Sequence, residues 1–190
     1  TIPITLRFNG ACTRPCADSR SENEGSAPVS NQESGRQFSD DTPWTVYLSG
    51  EIHTDWRDQI IQGAQGLDVS FDSPVTDHAA SDDCGVEILG AEPDKFWHDR
   101  KGAMVNAIRT RKGIADADVV VVRFGDQYKQ WNAAFDAGQA AALGKSLIIL
   151  HGPDHAHALK EVDAAALAVA QEPHQVVDIL RYVLTGKLPG

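Results

Sequence analysis

Cysteine is scarce in this sequence, and long apolar runs are absent. Only Cys12, Cys16 and Cys84 are present; they make no paired disulfide framework and fit a reducing environment. No apolar run is long enough to span a bilayer, and no signal-peptide pattern is found, so we expect a cytoplasmic protein. Basic residues number 17 against 27 acidic ones, and the net charge of −10 disfavours nonspecific binding to nucleic acid or an anionic membrane.

Familiar cofactor and metal signatures are also missing. No G-x-G-x-x-G follows the first predicted strand, which disfavours a standard dinucleotide fold. The segment GQAAALGKS, from Gly138 to Ser146, superficially resembles a phosphate-binding loop. It has five residues between its glycines rather than four, and its Gly-Lys-Ser precedes a strand rather than a helix, so we reject that motif. The loop histidines His151, His155 and His157 have no evident fourth ligand. We therefore predict neither a cofactor nor a metal site.

Residues 1–41 differ in composition from the rest of the chain. They are rich in Ser, Glu, Asn, Gly and Gln and contain few large apolar side chains. Such a segment cannot bury enough surface to offset its conformational entropy. We predict a disordered leader over 1–41 and one folded domain over 43–190.

The stretch from Ala117 to Leu150 organises the domain. Two continuous apolar runs, Val119–Val122 and Leu147–Leu150, predict strands buried on both faces. The Ala-rich segment between them, up to Leu143, predicts a helix. Strand, helix and strand joined by short connections form a βαβ unit with a right-handed crossover.

The same alternation continues on both sides of this unit. The segment 72–99 is a long connection, which we expect to be functional or to carry small helices. Five alternations of strand and helix predict a single Rossmann-like or flavodoxin-like α/β domain with a five-stranded, mostly parallel sheet. The other predicted strands are Trp44–Leu48, Leu67–Phe71 and Leu167–Ala170, and the other predicted helices are Trp56–Gln65, Gly102–Ile114, Leu159–Ala165 and Gln175–Leu184.

Polar residues follow two of the predicted strands. Ligands of open α/β sheets bind at the carboxyl ends of the strands. We therefore expect a small-molecule crevice between the turn at Gly50–Asp55, which contains Glu51 and His53, and the segment Asp126–Asp136. The polar cluster of the second segment consists of Asp126, Lys129, Gln130, Trp131 and Asn132.

Asp136 is the candidate nucleophile of this crevice, although a solvent-facing role is open to it. It lies four residues after Asn132, on the same helix face, and close enough to the helix start for the macrodipole to favour its ionised form. Glu51 and His53 are equally suited to capping a helix. Trp131 suits stacking on a base or covering the helix start.

Four segments of the sequence resemble the YtoQ family, a bacterial group placed beside the nucleoside 2-deoxyribosyltransferases. They are VYLSGEIHTDWR, the Asp77-His78 loop, the segment from Asn106 to Thr110, and ADVVVVRFGDQYKQWNAAFDAG. The resemblance runs from Trp44 to the final helix. In the wider superfamily, a D-x-G-T-x-x-E segment supplies a catalytic Glu; here Asp136 stands in its place, Gln130 replaces the leading Asp, and Asn132-Ala133 replaces Gly-Thr.

The resemblance implies an enzyme that acts at the N-glycosidic bond of a nucleoside or nucleotide. Its implied catalytic residues are Asp136 and Glu51, and self-association into a homo-oligomer is expected. A nucleotide- or nucleotide-sugar-binding protein without turnover is the alternative, and a structural subunit is a third. The predicted substrate-binding residues are Gly50, His53, Asp77, His78, Asn106, Arg109, Asp126, Lys129, Gln130, Trp131 and Asn132.

Overall fold

The computed structural model describes residues 42–127, 130–188 and 190. Its five strands are all parallel and lie in the order β2-β1-β3-β4-β5, the flavodoxin-like order. The predicted α/β class is thus confirmed, and the sheet is wholly rather than mostly parallel. The strands are β1 Trp44–Gly50, β2 Val69–Asp72, β3 Val119–Phe124, β4 Ser146–His151 and β5 Ala168–Ala170.

Helices cover both faces of the sheet. One core contains Val46, Val121 and residues of the helices Trp56–Gly63 (α1) and Pro173–Thr185 (α6); the other contains Tyr47, Val122 and the alanines of the helix Trp131–Ala142 (α4). This arrangement explains why Val119–Val122 form an uninterrupted apolar run, since both faces of β3 are buried. The helices are α1 Trp56–Gly63, α2 His78–Leu89, α3 Lys95–Asp116, α4 Trp131–Ala142, α5 Lys160–Ala164 and α6 Pro173–Thr185, and Pro153–His155 forms one 3₁₀ turn.

The segment after β2 departs most from the sequence prediction. It carries the full helix α2, and α3 begins at Lys95 rather than at Gly102. Two aspartates cap these helices: Asp77 accepts a hydrogen bond from the Ala80 amide at 2.7 Å, and Asp94 accepts one from the Phe96 amide at 2.9 Å. Such N-caps satisfy amides that have no partner within the helix.

The apolar positions expected on α3 are only partly buried. Ile114 is fully buried, but Met104 is 57% and Ile108 73% exposed. An amphipathic helix ordinarily turns such apolar positions toward the core, and Met104 and Ile108 do not follow that pattern. Helix α3 packs instead against α2 and α4, and contacts β1 near its end. None of the described helices is both long enough and apolar enough to cross a membrane.

Candidate functional site

A crevice of about 700 Å³ opens between the carboxyl end of β1 and α4, the helix that follows β3. The strand that follows β1 in sequence, β2, lies on one side of it, whereas β4, which follows β3, lies on the opposite side. The order of the strands therefore reverses between β1 and β3, and the crevice lies at this topological switch point. Its walls come from the β1–α1 turn, α2, α3 and α4. Glu51 and Asp136, expected on opposite walls of one crevice, both line it.

Asp136 projects from the second turn of α4 toward the end of β1. The Ser49 hydroxyl donates a hydrogen bond to Asp136 Oδ2 at 2.5 Å, and Ser49 itself is fully buried. Burial raises the pKa of Asp136, and the hydrogen bond from Ser49 opposes that rise. The sequence suggested that the helix macrodipole would favour the ionised form, but burial acts in the opposite direction.

Tyr47 lies two residues before Ser49, on the same face of β1. Its side chain is fully buried. Burial raises the pKa of the Tyr47 phenol; the Thr110 side chain beside it lowers the pKa, and the nearby charge of Asp136 raises it further. Gly113 of α3 permits this packing, because a Cβ there would lie 2.3 Å from the Tyr47 ring. Sequence reasoning missed both Ser49 and Tyr47.

The Glu51 carboxylate is engaged by its own turn. It accepts hydrogen bonds from the His53 amide and, at 2.6 Å, from the Thr54 hydroxyl. The Arg123 Nε lies 3.6 Å from Glu51 Oε2. Glu51 is only 5% exposed, and it holds the backbone that presents His53 to the crevice.

The buried Arg57 side chain also holds the β1–α1 turn in place. Arg57 donates hydrogen bonds to the carbonyl oxygens of Leu48, Gly50 and Glu51, at 3.0, 3.1 and 2.6 Å. Burial lowers the pKa of Arg57 to about 10. Gly50 is required where the strand ends, because its φ is +102° and a Cβ there would lie 2.1 Å from the Arg123 carbonyl oxygen.

The start of α4 forms one side of the crevice mouth. The Gln130 side chain closes the preceding loop: its oxygen accepts from the Gly125 amide at 3.0 Å, and its nitrogen donates to the Gln127 carbonyl at 3.0 Å. Trp131 is 73% and Phe135 65% exposed, while both line the crevice together with the exposed Asn132.

The opposite side of the mouth is formed by α2 and α3. His78 pairs with Asp82 at 3.2 Å, and its ring centroid lies 6.2 Å from that of His53. The Asn106 amide nitrogen donates to the Ser81 carbonyl at 2.8 Å, which ties α3 to α2. Arg111 also lines this wall and forms no ion pair with any residue that the structure describes.

Other predicted substrate-binding residues lie away from the crevice lining. Asp77 caps α2, and Arg109 binds Asp72 at 2.8 Å. Asp126 lines a second, smaller cavity beside Arg123 and Glu172. Lys129 and residues 1–41 lie outside the described residues, so the predictions made for them stay predictions.

The chain is similar to known proteins along most of the folded domain. Residues 47–184 match the family described as Nucleoside 2-deoxyribosyltransferase YtoQ. The uncharacterized protein YtoQ of Bacillus subtilis (strain 168) is 39% identical over 140 residues, which cover 73% of this chain and 95% of that protein. A solved 2-deoxyribosyltransferase from Bacillus psychrosaccharolyticus shares 14% sequence identity and a TM-score of 0.46, over 70% of this chain and 90% of that one.

The chain therefore belongs to the nucleoside 2-deoxyribosyltransferase YtoQ family. The resemblance noted from the sequence is confirmed over residues that include the end of β1 from Tyr47 onward, the crevice walls and α4.

Proposed function

We propose that this protein cleaves the N-glycosidic bond of a nucleoside or nucleotide, with Asp136 as the nucleophile. The observation that carries the proposal is the placement of Asp136 in the crevice, with one carboxylate oxygen held by Ser49 at 2.5 Å. The transition state of such a reaction is oxocarbenium-like, so an adjacent carboxylate both stabilises it and can bond to it.

The reaction proceeds in two displacements. In the first, a carboxylate oxygen of Asp136 bonds to the anomeric carbon while the bond to the base nitrogen breaks, and the bonding electron pair leaves with the base. In the second, water or the nitrogen of another base attacks the same carbon and releases Asp136 as a carboxylate. Water gives hydrolysis and a second base gives transfer.

The leaving base requires a proton, and two groups of the β1–α1 turn line the crevice at a suitable place, Glu51 and His53. The Glu51 carboxylate already accepts hydrogen bonds from the His53 amide and the Thr54 hydroxyl. We assign the proton transfer to the His53 imidazole, because imidazole is the side chain most often used for proton transfer in catalysis and His53 lines the crevice. Glu51 then contributes by fixing the backbone of His53.

The rim of the crevice offers contacts for base and sugar. The exposed Trp131 ring can stack on a nucleobase. The lysine and arginine side chains among the described lining residues are Lys95 and Arg111. Lys95 Nζ lies 3.8 Å from the Asp99 carboxylate. Lys95 and Arg111 can bind a phosphate if the substrate is a nucleotide.

A second candidate is nucleotide binding without turnover. It is favoured by the burial that raises the pKa of Asp136, because burial lowers the fraction of this carboxyl group that is ionised, and able to attack, at a given pH. Incubation with mixed nucleosides, nucleotides and free bases, with products identified by mass spectrometry, separates the two candidates. New base–sugar combinations or free sugars support the enzyme. Saturable binding by calorimetry without product supports the binding protein.

We also propose that the chain forms a homo-oligomer through α3 and α4. These helices contact each other and expose four large apolar side chains, each more than half accessible: Met104, Ile108, Trp131 and Phe135. Apolar surface of this kind marks an interaction site on a protein surface. Light scattering should give a mass above 20.5 kDa for the wild type and a monomer for Ile108→Glu. A monomeric wild type would exclude self-association.

A further inference from the structure

We propose that Ser49 is a positioning residue that holds Asp136 Oδ2 and thereby reserves Oδ1 for attack on the anomeric carbon. This inference rests on the proposed function and adds a residue to it. It starts from the only hydrogen bond to the Asp136 side chain among the described residues, the one donated by Ser49 Oγ.

Ser49 is rigidly placed and can therefore immobilise the side chain that it contacts. It is fully buried and lies within the β1–β3 ladder, where it pairs with Val122. Its short side chain has one torsion and is carried by an interior strand, which is paired on both sides. A group on a rigid element keeps a partner in place more accurately than one on a loop.

The contact has the geometry of a hydrogen bond to a charged acceptor. An O–H group donating to a carboxylate oxygen gives separations of about 2.5–2.7 Å, shorter than those between neutral groups. The observed separation of 2.5 Å lies in this range. The bond therefore stabilises the ionised carboxylate, the form that can act as a nucleophile, in a place where burial opposes ionisation.

The two oxygens of Asp136 consequently have different surroundings. Oδ2 accepts from Ser49, whereas no residue within 42–127, 130–188 and 190 hydrogen-bonds to Oδ1. In the covalent step, Oδ1 forms the bond to the anomeric carbon and the bond to the base nitrogen breaks. The hydrogen bond at Oδ2 keeps the carboxylate plane fixed while this occurs.

Two variants test this role, with a control on the same strand. Ser49→Ala removes the donor, and Ser49→Cys keeps nearly the same size with a weaker donor. Thr45→Val is the control, because the Thr45 hydroxyl lies 3.3 Å from Ser70 Oγ and does not reach Asp136. Thermal unfolding of all three proteins establishes that each is folded.

The first readout requires no substrate. Carboxyl ¹³C NMR titration should show a higher pKa for Asp136 in Ser49→Ala than in the wild type, an intermediate value in Ser49→Cys, and no change in Thr45→Val. An unchanged pKa of Asp136 in Ser49→Ala overturns the inference, whether or not any substrate is found.

The second readout uses a substrate that the wild type turns over. Ser49→Ala should lower kcat on the order of 10- to 100-fold, the loss expected for one hydrogen bond to a charged group, with little change in KM. The acid limb of the kcat–pH profile of Ser49→Ala should move to higher pH. If Ser49→Ala keeps the wild-type kcat and pH profile, the inference fails while the proposed function stands. If Asp136→Asn retains turnover, the proposed function itself fails.

Discussion

Gly85 of α2 and Gly102 of α3 bring the two helices into backbone contact beside the crevice. A Cβ at Gly85 would lie 2.2 Å from the Gly102 nitrogen, and one at Gly102 would lie 2.6 Å from the Asp82 carbonyl oxygen. Since Gly102 also lines the crevice, this contact determines where the α2–α3 wall stands.

Gly102→Ala should therefore separate the two helices. We expect a loss of about 1–3 kcal/mol in the free energy of unfolding, the usual cost of overpacking. Gly138→Ala is the matched control: Gly138 is also helical, but a Cβ there meets nothing within 4 Å, and a gain of about 0.5–1 kcal/mol is expected. Denaturant unfolding measures both. Equal effects of the two substitutions would show that the α2–α3 contact is looser than described.

Arg57 is expected to be the residue on which the β1–α1 turn depends. Arg57→Met removes three hydrogen bonds to main-chain carbonyl groups, of which that of Glu51 keeps a second donor, the Trp56 indole, and should lower the free energy of unfolding by about 3 kcal/mol or more. Arg181→Met, which removes a partly exposed arginine 3.8 Å from Asp178, should change it by less than about 0.5 kcal/mol. A stable Arg57→Met protein would mean that the turn is held by other contacts.

The raised pKa of Asp136 has a consequence for stability against pH. The folded protein keeps this proton at pH values where the unfolded chain has already released it, so ionisation costs the folded state free energy. Relative to Asp136→Asn, the wild type should lose stability as the pH rises from about 4, with a constant difference above the folded pKa. Thermal midpoints of both proteins across this range provide the measurement. A wild type that gains stability over Asp136→Asn with rising pH would show that the pKa is lowered instead.

His53 and Glu51 can be distinguished by leaving-group dependence. If His53 protonates the base, His53→Asn should lower kcat by about 10²–10⁴-fold for an ordinary nucleoside, but much less for an analogue with a weakly basic leaving group. Glu51→Gln should lower kcat similarly for both, because it disturbs the position of the turn. The reverse pattern would assign the proton transfer to Glu51.

The sheet could be predicted from the sequence because its signals are local. The run Val119–Val122 is buried on both faces of the sheet, and this local apolar pattern is enough to predict β3. Helices α2 and α3 could not be placed so well. Their contact depends on glycines far apart in sequence, and Met104 and Ile108 face outward despite their apolar character.

The residues of the candidate site were likewise only partly predictable from the sequence. Asp136 could be proposed from its spacing after Asn132 and its place beyond a buried strand. Its partner Ser49 could not, because 87 residues separate them and a serine at a strand end has no distinctive pattern. Gln130 and Arg109 looked available for a ligand, but their side chains bind their own loop and Asp72 respectively.

The most direct test of Asp136 as the nucleophile is the capture of its glycosyl adduct. The wild type is mixed with a substrate from the nucleoside and nucleotide panel, quenched within one turnover, digested, and measured by peptide mass spectrometry. The peptide containing Asp136 should gain the mass of one dehydrated sugar. Asp136→Asn, folded to the same extent, should form neither adduct nor product. Product formation by Asp136→Asn at the wild-type rate, with no adduct on the wild-type peptide, would contradict this role.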